Sequence, residues 1–222
     1  SWNSSQRKLI LCGQLPPDQS LQESLNIILE DPSVALLTET TANLWNTKFI
    51  GAIDRTITTI TPDALPNFKP EILITIGGAI ISKKIKSLLR ENKPKEHWHI
   101  SEHDGHLDTF QSLTKRITCS PSHFFHRIKG KIEPINSGYG TLWKGKDLLI
   151  KQKHIAFVSN TEFSNLKAFY SILEYIPNDS MLHMSNSTAV RYVQLYNQIR
   201  GVEYYANRGT SGIDGSTSTA AG

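Results

Sequence analysis

Residues 72–89 read ILITIGGAIISKKIKSLL, and this segment indicates the architecture of the chain more clearly than any other. Its first part, Ile72–Ile76, is a continuous apolar run, which is typical of a strand that is buried on both faces. Two glycines follow, and apolar residues then recur at helical spacing, at Ile81, Ile85 and Leu88. Strand, glycine turn and helix in that order form the unit of a parallel α/β sheet, so the segment predicts this fold class.

Short apolar runs elsewhere in the first part of the chain repeat the pattern. We predict further buried strands at Lys8–Cys12, Val34–Leu37, Trp98–Ile100 and Ile117–Cys119. Segments with helical spacing separate most of them. Because continuous apolar strands alternate with helices, residues 1–130 are expected to form a Rossmann-like α/β domain, in which helices cover both faces of a parallel sheet.

The remainder of the chain begins the same pattern again. A polar segment around residue 130, with glycine and proline, is the best candidate for a linker. Helical spacing follows in Tyr139–Val158 and Phe163–Ile176, and short strands at Ser180–Met184 and Val202–Tyr205 enclose another helix. We expect residues 131–222 to be a linker and an incomplete second α/β domain.

Composition and charge exclude several classes of protein. The formal net charge is only +4 and is spread along the chain, so we expect no nucleic acid partner. The longest strongly apolar run, Ile72–Ile81, is too short to span a bilayer, and we expect no membrane association. Cys12 and Cys119 form no CxxC motif, which favours two free thiols in a reducing compartment and a cytoplasmic location.

A glycine-rich segment, NRGTSGIDG at residues 207–215, follows the last predicted strand. Glycines at this density allow a ligand to approach the backbone closely, and Arg208 could bind an anion. The spacing is neither GxGxxG nor that of a P-loop. Two interpretations therefore remain at this point, a ligand-binding loop and a turn before a helix, which Asp214 is expected to cap.

Two other segments place cations beside the start of a helix. In SNSTAVR, Ser187 and Arg191 lie four positions apart and share one helical face, where a carboxylate would fit. Lys83 and Lys84 open the helix that follows the glycine pair. The alternatives are a plain helix cap with a surface arginine in the first case and two solvated lysines in the second.

Two weaker signals suggest other ligands. Gly77-Gly78 allows a dinucleotide-binding loop, but a lone pair of glycines is weak evidence for one. His97 and His99 share a strand face and could hold a transition metal, although no cysteine or HExxH spacing supports this.

The three segments together resemble a known family. The chain's last residues, NRGTSGIDGSTSTAAG from position 207, and the segments around Lys83 and Arg191 resemble signatures of 2-succinyl-5-enolpyruvyl-6-hydroxy-3-cyclohexene-1-carboxylate synthases, the MenD family of thiamine-diphosphate-dependent enzymes. Members have three α/β domains. The resemblance implies that this chain is a fragment of such an enzyme, with the middle domain and the start of the pyrophosphate-binding domain.

The resemblance also implies an activity for the whole protein. This would be a transferase that decarboxylates 2-oxoglutarate and adds the succinyl semialdehyde unit to isochorismate in menaquinone biosynthesis. Thiamine diphosphate and Mg²⁺ would be its cofactors, and it would form a dimer or tetramer. The family's GDG metal motif and its catalytic glutamate are not found in this sequence. We therefore expect no catalytic residue, metal ligand or bound cofactor in this chain, and no activity from the chain alone.

The roles of individual residues follow from the same resemblance. It implies a cofactor-supporting role for Ile213 and substrate-binding roles for five residues: Lys83, Lys84, Ser187, Arg191 and Arg208. Lys84 stands where the family often has arginine, so bidentate carboxylate binding is not expected there. Two alternatives for the whole chain remain, a non-catalytic Rossmann-like module that binds a nucleotide and a scaffold that pairs with other subunits.

Overall fold

The computed structural model describes residues 1–103, 108–209 and 214–222. The strands are β1 (Lys8–Cys12), β2 (Val34–Thr38), β3 (Ile72–Ile76), β4 (Glu96–Ser101), β5 (Lys115–Thr118), β6 (Met181–Met184) and β7 (Glu203–Ala206). The helices are α1 (Gln19–Ile28), α2 (Ile53–Ile57), α3 (Leu65–Phe68), α4 (Lys83–Glu91), α5 (Pro121–Ile128), α6 (Tyr139–Asn160), α7 (Asn165–Glu174), α8 (Thr188–Val193) and α9 (Ser216–Ala221). Short 3₁₀ turns occupy Trp2–Ser4 and Thr40–Ala42.

The main sheet has the order β2-β1-β3-β4-β5, and all of its neighbouring strands are parallel. Strand β1 lies between β2 and β3, and it aligns Lys8 with Val34 of β2 and with Ile72 of β3. Every residue of β1, β2 and β3 is buried, which explains why these strands appear in the sequence as continuous apolar runs. The predicted parallel α/β architecture is confirmed.

Alternate residues of the strands fill two apolar layers, one on each face of the sheet. One layer contains Ile10, Leu36 and Ile74 and is covered by α1 and α5. The other contains Leu9, Leu73 and side chains of α2, of α4 and of the first turns of α6. Because helices cover both faces, the carboxyl edge of the sheet is the open side at which loops and polar side chains converge.

The start of α6 packs into the second of these layers. The Trp143 side chain is fully buried, and the Tyr139 hydroxyl donates a hydrogen bond to the Phe68 carbonyl at 2.8 Å.

Helix α6 is 22 residues long, yet none of the helices in the described ranges is long and apolar enough to cross a membrane. The domain boundary placed at residue 130 stays a prediction.

The second, smaller layer of structure forms around β6 and β7, which are parallel to each other. Val190 and Val193 of α8 pack on these strands, and Ile81, just before α4, joins the same apolar cluster. A two-stranded sheet alone is marginally stable in water, so contact with the segment before α4 supports it. This contact brings the start of α8 close to the start of α4.

Candidate substrate-binding site

Two loops pack tightly at the carboxyl edge of the sheet, after β1 and after β3. Gly77 has φ +76°, and a Cβ there would lie 2.8 Å from the Gln14 carbonyl oxygen and 2.8 Å from the Leu15 side chain. The Gly78 N–H donates to the Gln14 carbonyl at 2.8 Å. Contact between the loops therefore accounts for the glycine pair, which weakens the argument for a dinucleotide-binding loop.

Helix α4 begins with positive charges. Ser82 caps it, because its hydroxyl accepts a hydrogen bond from the Ile85 N–H at 3.0 Å and donates a short one to Asp54. Lys83 and Lys84 follow at once, both exposed, and the first turn has no acidic residue. Cations at this end oppose the helix dipole, so the arrangement lowers helix stability and favours a bound anion.

A buried carboxylate, which the sequence analysis missed, lies beside this helix start. Glu39 follows β2 directly and is 1% exposed. Its Oε1 accepts hydrogen bonds from the N–H groups of Ile81 at 3.1 Å and Ser82 at 3.0 Å. Burial, with the nearby charge of Asp54, raises the pKa of Glu39 to about 7. The available signal was a polar residue placed directly after a buried parallel strand.

Lys86 of α4 lies within electrostatic reach of Glu39 and of several other cations. Burial lowers the pKa of Lys86 on α4, while the charge of Glu39 raises it. Arg208 and Lys83 lower it further. The charges of Arg208, after β7, and of Lys83 therefore both reach Lys86 on α4.

The start of α8 differs from the expected simple helix cap. Ser187 occupies the N-cap position, but its side chain forms no capping hydrogen bond and is exposed. Its backbone has φ 67° and ψ −117°, a conformation that a non-glycine residue adopts only under strain. Arg191, one turn later, is exposed. Ser187 and Arg191 thus lie about one turn apart at the start of α8, and their role in substrate binding stays a prediction.

Arg208 is fixed to the same corner by hydrogen bonds. Its Nη1 donates to the Asn186 Oδ1 at 2.9 Å, and the Asn186 amide in turn donates to the Asn207 carbonyl. The buried Nε of Arg208 has no hydrogen-bond partner among the residues that the structure describes. The ends of β6 and β7 thus place Arg208 next to Ser187, although the two are far apart in the sequence.

A cleft of about 650 Å³ lies between α2, α4, α6 and α8. Lys84 and Arg191 line it together with Lys153 of α6, and apolar side chains such as Phe157 and Leu166 line the remainder. Within the described ranges, none of these three cations forms a hydrogen bond or an ion pair. The cleft is therefore suited to a ligand with both anionic and apolar parts.

A buried ion pair supports one wall of the cleft. The Arg55 Nη2 donates to Asp147 Oδ1 at 3.1 Å and to Asn197 Oδ1 at 3.2 Å, while its Nη1 donates to the Leu195 carbonyl at 3.2 Å. These bonds join α2, α6 and the segment after α8. Burial, together with the charge of Arg55, lowers the pKa of His154 in the same wall, which favours a neutral imidazole.

For several residues singled out in the sequence, the structure either shows a different arrangement from the predicted one or does not describe the residue. Ile213 lies outside the described residues. Asp214 does not cap α9, because Gly215 occupies the N-cap position without a side-chain bond. His97 Nε2 and His99 Nδ1 each lie 2.9 Å from the Thr75 hydroxyl. No group of three His, Cys, Asp or Glu in the described part of the chain is arranged to hold a metal ion.

The predicted substrate-binding residues thus fall into two connected groups. Lys84 and Arg191 face one cleft, while Arg208 is bonded to the residue before Ser187. Lys83 and Arg208 both act on Lys86. The structure brings these elements together, and the identity of the ligand that they bind stays a prediction.

A family model described as the middle domain of thiamine pyrophosphate matches residues 2–184. The chain is 45% identical over 221 residues to a 2-succinyl-5-enolpyruvyl-6-hydroxy-3-cyclohexene-1-carboxylate synthase of Flavobacterium psychrophilum, and 43% identical over 222 residues to that of Flavobacterium johnsoniae. Both alignments cover 100% of this chain and 40% of the relative. A synthase of the same name from Desulfotalea psychrophila is 32% identical over 222 residues.

Proposed function

This chain belongs to the family of thiamine pyrophosphate enzyme middle domains, and we propose that it forms the substrate-facing part of a 2-succinyl-5-enolpyruvyl-6-hydroxy-3-cyclohexene-1-carboxylate synthase. The chain spans about 40% of the length of the curated relatives it matches. The complete protein is proposed to be a transferase that decarboxylates 2-oxoglutarate and adds the succinyl semialdehyde unit to isochorismate. Thiamine diphosphate, Mg²⁺, a dimeric or tetrameric assembly and a cytoplasmic location belong to the same proposal.

One observation carries most of the argument. Residues distant in the sequence, Lys84 and Arg191, line the same cleft, and Arg208 is fixed at the neighbouring helix start. Isochorismate and 2-oxoglutarate are both dicarboxylates with apolar carbon frameworks. A cleft with separate cations and apolar walls is complementary to such molecules, because each cation can bind one carboxylate group.

The role proposed for this chain is to bind and orient the substrates. Arg191 can bind a carboxylate through two parallel hydrogen bonds, whereas Lys84 acts as a single charge. Fixing the substrate carboxylates lowers the entropy cost of the reaction, since the reacting carbon atoms are then held in one orientation.

The described residues do not by themselves fit the cofactor or its metal. They include no cluster of metal-ligating side chains, and the one residue predicted to support the cofactor, Ile213, lies outside them. We therefore derive no step of the cofactor chemistry from this chain. In the complete enzyme, bound thiamine diphosphate would supply the electron sink of the reaction, and the residues described here would place the substrates.

The proposal is tested with the complete enzyme that contains this chain. Turnover of isochorismate with 2-oxoglutarate would be measured in the presence of thiamine diphosphate and Mg²⁺ for the wild type, Arg191→Ala and Arg208→Ala. Each variant loses a charged hydrogen bond worth about 1.5–3 kcal/mol, so kcat/KM should fall by roughly 10- to 150-fold.

Arg127→Ala is the matched control, because Arg127 is exposed on α5, outside the cleft. It should retain wild-type kinetics. A wild-type enzyme without synthase activity would refute the proposed function, and wild-type kinetics in both Arg191→Ala and Arg208→Ala would remove their proposed roles. The 222-residue chain alone is expected to be inactive, which the same assay measures.

A further inference from the structure

The turn after β2 contacts each of the elements that carry the proposed substrate-binding cations. This turn, Glu39–Asn43, is called the β2 turn below. It lies at the carboxyl edge of the sheet and includes the 3₁₀ segment Thr40–Ala42. Glu39 and Thr40 are 1% exposed, although both are polar. Polar groups buried this deeply lower stability unless their hydrogen bonds are satisfied, so their contacts need an explanation.

Its first contact holds the start of α4. The Glu39 carboxylate accepts the backbone N–H groups of Ile81 and Ser82, the two residues before Lys83. The other carboxylate oxygen, Oε2, is buried and has no hydrogen-bond partner within the described part of the chain. An apolar side chain at this position would leave the Ile81 and Ser82 N–H groups without their acceptor, so the glutamate is tied to the start of α4 by these two bonds.

The second contact holds the segment that contains α8. The Thr40 N–H donates to the Gln194 side-chain carbonyl at 3.3 Å, and the Gln198 amide donates to the Thr40 carbonyl at 3.1 Å. Gln194 is the C-cap of α8, the helix on which Arg191 lies. The β2 turn therefore fixes the end of this helix.

The third contact holds β7, the strand that leads to Arg208. The Asn43 Oδ1 accepts the Tyr204 N–H at 2.7 Å, and the Asn43 amide donates to the Tyr204 carbonyl at 3.1 Å and to the Leu15 carbonyl at 2.9 Å. Asn43 has φ 54°, a left-handed conformation that asparagine tolerates better than most residues. Its side chain thus pairs with β7 as a neighbouring strand would.

We propose that the β2 turn positions the substrate-binding cations of three separate elements, with Glu39 and Asn43 as its positioning residues. Neither residue needs to touch a substrate. Glu39 sets where Lys83 and Lys84 stand, the backbone of Thr40 sets α8 with Arg191, and Asn43 sets β7 with Arg208. This inference rests on the proposed function, since it assigns a geometry to the same cations.

The titratable groups around Glu39 come from several elements. Asp54 on α2 raises the pKa of Glu39, and the pKa of Lys86 on α4 responds to the charges of both Glu39 and Arg208. Gln194 of α8 faces the turn without a charge. A change at Glu39 is therefore expected to reach α4 both through its hydrogen bonds and through charge, and the test separates the two effects.

The test uses the complete enzyme and three variants. Glu39→Ala removes the acceptor, Glu39→Gln keeps a carbonyl acceptor without the charge, and Asn43→Gly keeps the backbone conformation without the side-chain bonds. For Glu39→Ala and Asn43→Gly we expect KM for the dicarboxylate substrates to rise by about 10- to 100-fold, with kcat within about threefold of wild type. Glu39→Gln should recover most of the wild-type KM.

A second readout does not depend on activity. Hydrogen exchange of the amides of Ile81 and Ser82, measured in the complete enzyme, should become faster in Glu39→Ala and should stay slow in Glu39→Gln. Glu30→Ala is the matched control, because Glu30 lies at the opposite end of β2 and its side chain is 69% exposed. This control should change neither KM nor exchange.

The outcomes distinguish a failure of the proposed function from a failure of the positioning inference. If the wild type lacks synthase activity, the proposed function fails, and the exchange data still test the positioning of α4. If the wild type is active while Glu39→Ala and Asn43→Gly have the kinetics of Glu30→Ala, the positioning inference is wrong. If Glu39→Ala does not fold, Asn43→Gly and Glu39→Gln still decide the matter through KM.

Discussion

The buried ion pair between Arg55 and Asp147 allows a prediction in which the two partners are not equivalent. Their side chains are each 5% exposed, and the pair joins α2 to α6 beside the cleft. We compare Arg55→Ala with Asp147→Ala. Each substitution breaks the same pair, but the charge that is left behind has different surroundings in the two variants.

The expected magnitudes follow from what remains bonded. In Arg55→Ala, Asp147 keeps the Lys144 ammonium at 2.9 Å and the Thr56 hydroxyl at 3.2 Å. Asn197 and the Leu195 carbonyl also lose Arg55, but neither residue is buried, so water can replace it there. The loss should then be close to that of the charged hydrogen bond to Asp147, about 1.5–3 kcal/mol. In Asp147→Ala, Arg55 stays buried without a carboxylate, a situation that costs about 3–5 kcal/mol.

Urea unfolding of the purified protein, followed by circular dichroism and tryptophan fluorescence, measures both losses in the free energy of unfolding. Asp63→Ala is the control, because Asp63 is exposed, and it should lie within about 0.5 kcal/mol of wild type. Asp147→Ala should be the less stable of the two pair variants. Equal losses, or a larger loss in Arg55→Ala, would show that Lys144 does not stabilise Asp147 as the geometry indicates.

Two further predictions concern the carboxyl edge of the sheet. Gly77→Ala should lower the free energy of unfolding by about 1–3 kcal/mol, because the new Cβ would meet the Gln14 carbonyl at a positive φ, whereas Gly130→Ala, with open space around it, should be nearly neutral in the same urea titration. The second prediction is a pH dependence of stability that comes from Glu39. Burial raises the pKa of this carboxyl group to about 7 in the folded protein, against an ordinary 4.5, so the folded state binds the proton more tightly than the unfolded state. The protonated group therefore stabilises the fold below pH 4.5, and this stabilisation is lost as the pH rises towards 7. Glu39→Gln should flatten that part of the stability profile, and a slope equal to that of the wild type would contradict the assignment.

The sheet could be predicted from the sequence because strands that are buried on both faces consist of consecutive apolar residues. Residues of β1, β2 and β3 are all buried, so each strand is a continuous apolar run, and the predicted bounds match the structure to within one residue. Strand β5 was predicted at Ile117–Cys119 but spans Lys115–Thr118, since three of its four residues are polar and its burial is low. The edge of a sheet is constrained by fewer contacts and is therefore less visible in the sequence.

The candidate site could be predicted only in part. Lys83, Ser187 and Arg208 were predicted because each lies in a segment that resembles a family signature; the structure places these segments near one another, and their roles stay predictions. Glu39 was missed, because its role depends on hydrogen bonds to residues about forty positions away in the sequence. No local sequence pattern indicates such bonds. Contacts of that kind become visible only when the strands are assembled.

The lysines at the start of α4 have a consequence for engineering this protein. Acidic residues in the first turn would complement the helix dipole by about 0.3–1 kcal/mol, so a selection for heat resistance alone would tend to replace Lys83 or Lys84. Directed evolution of the enzyme should therefore screen variants for turnover as well as for melting temperature. Otherwise, under the proposed function, the library would be enriched in stable proteins that have lost substrate-binding lysines.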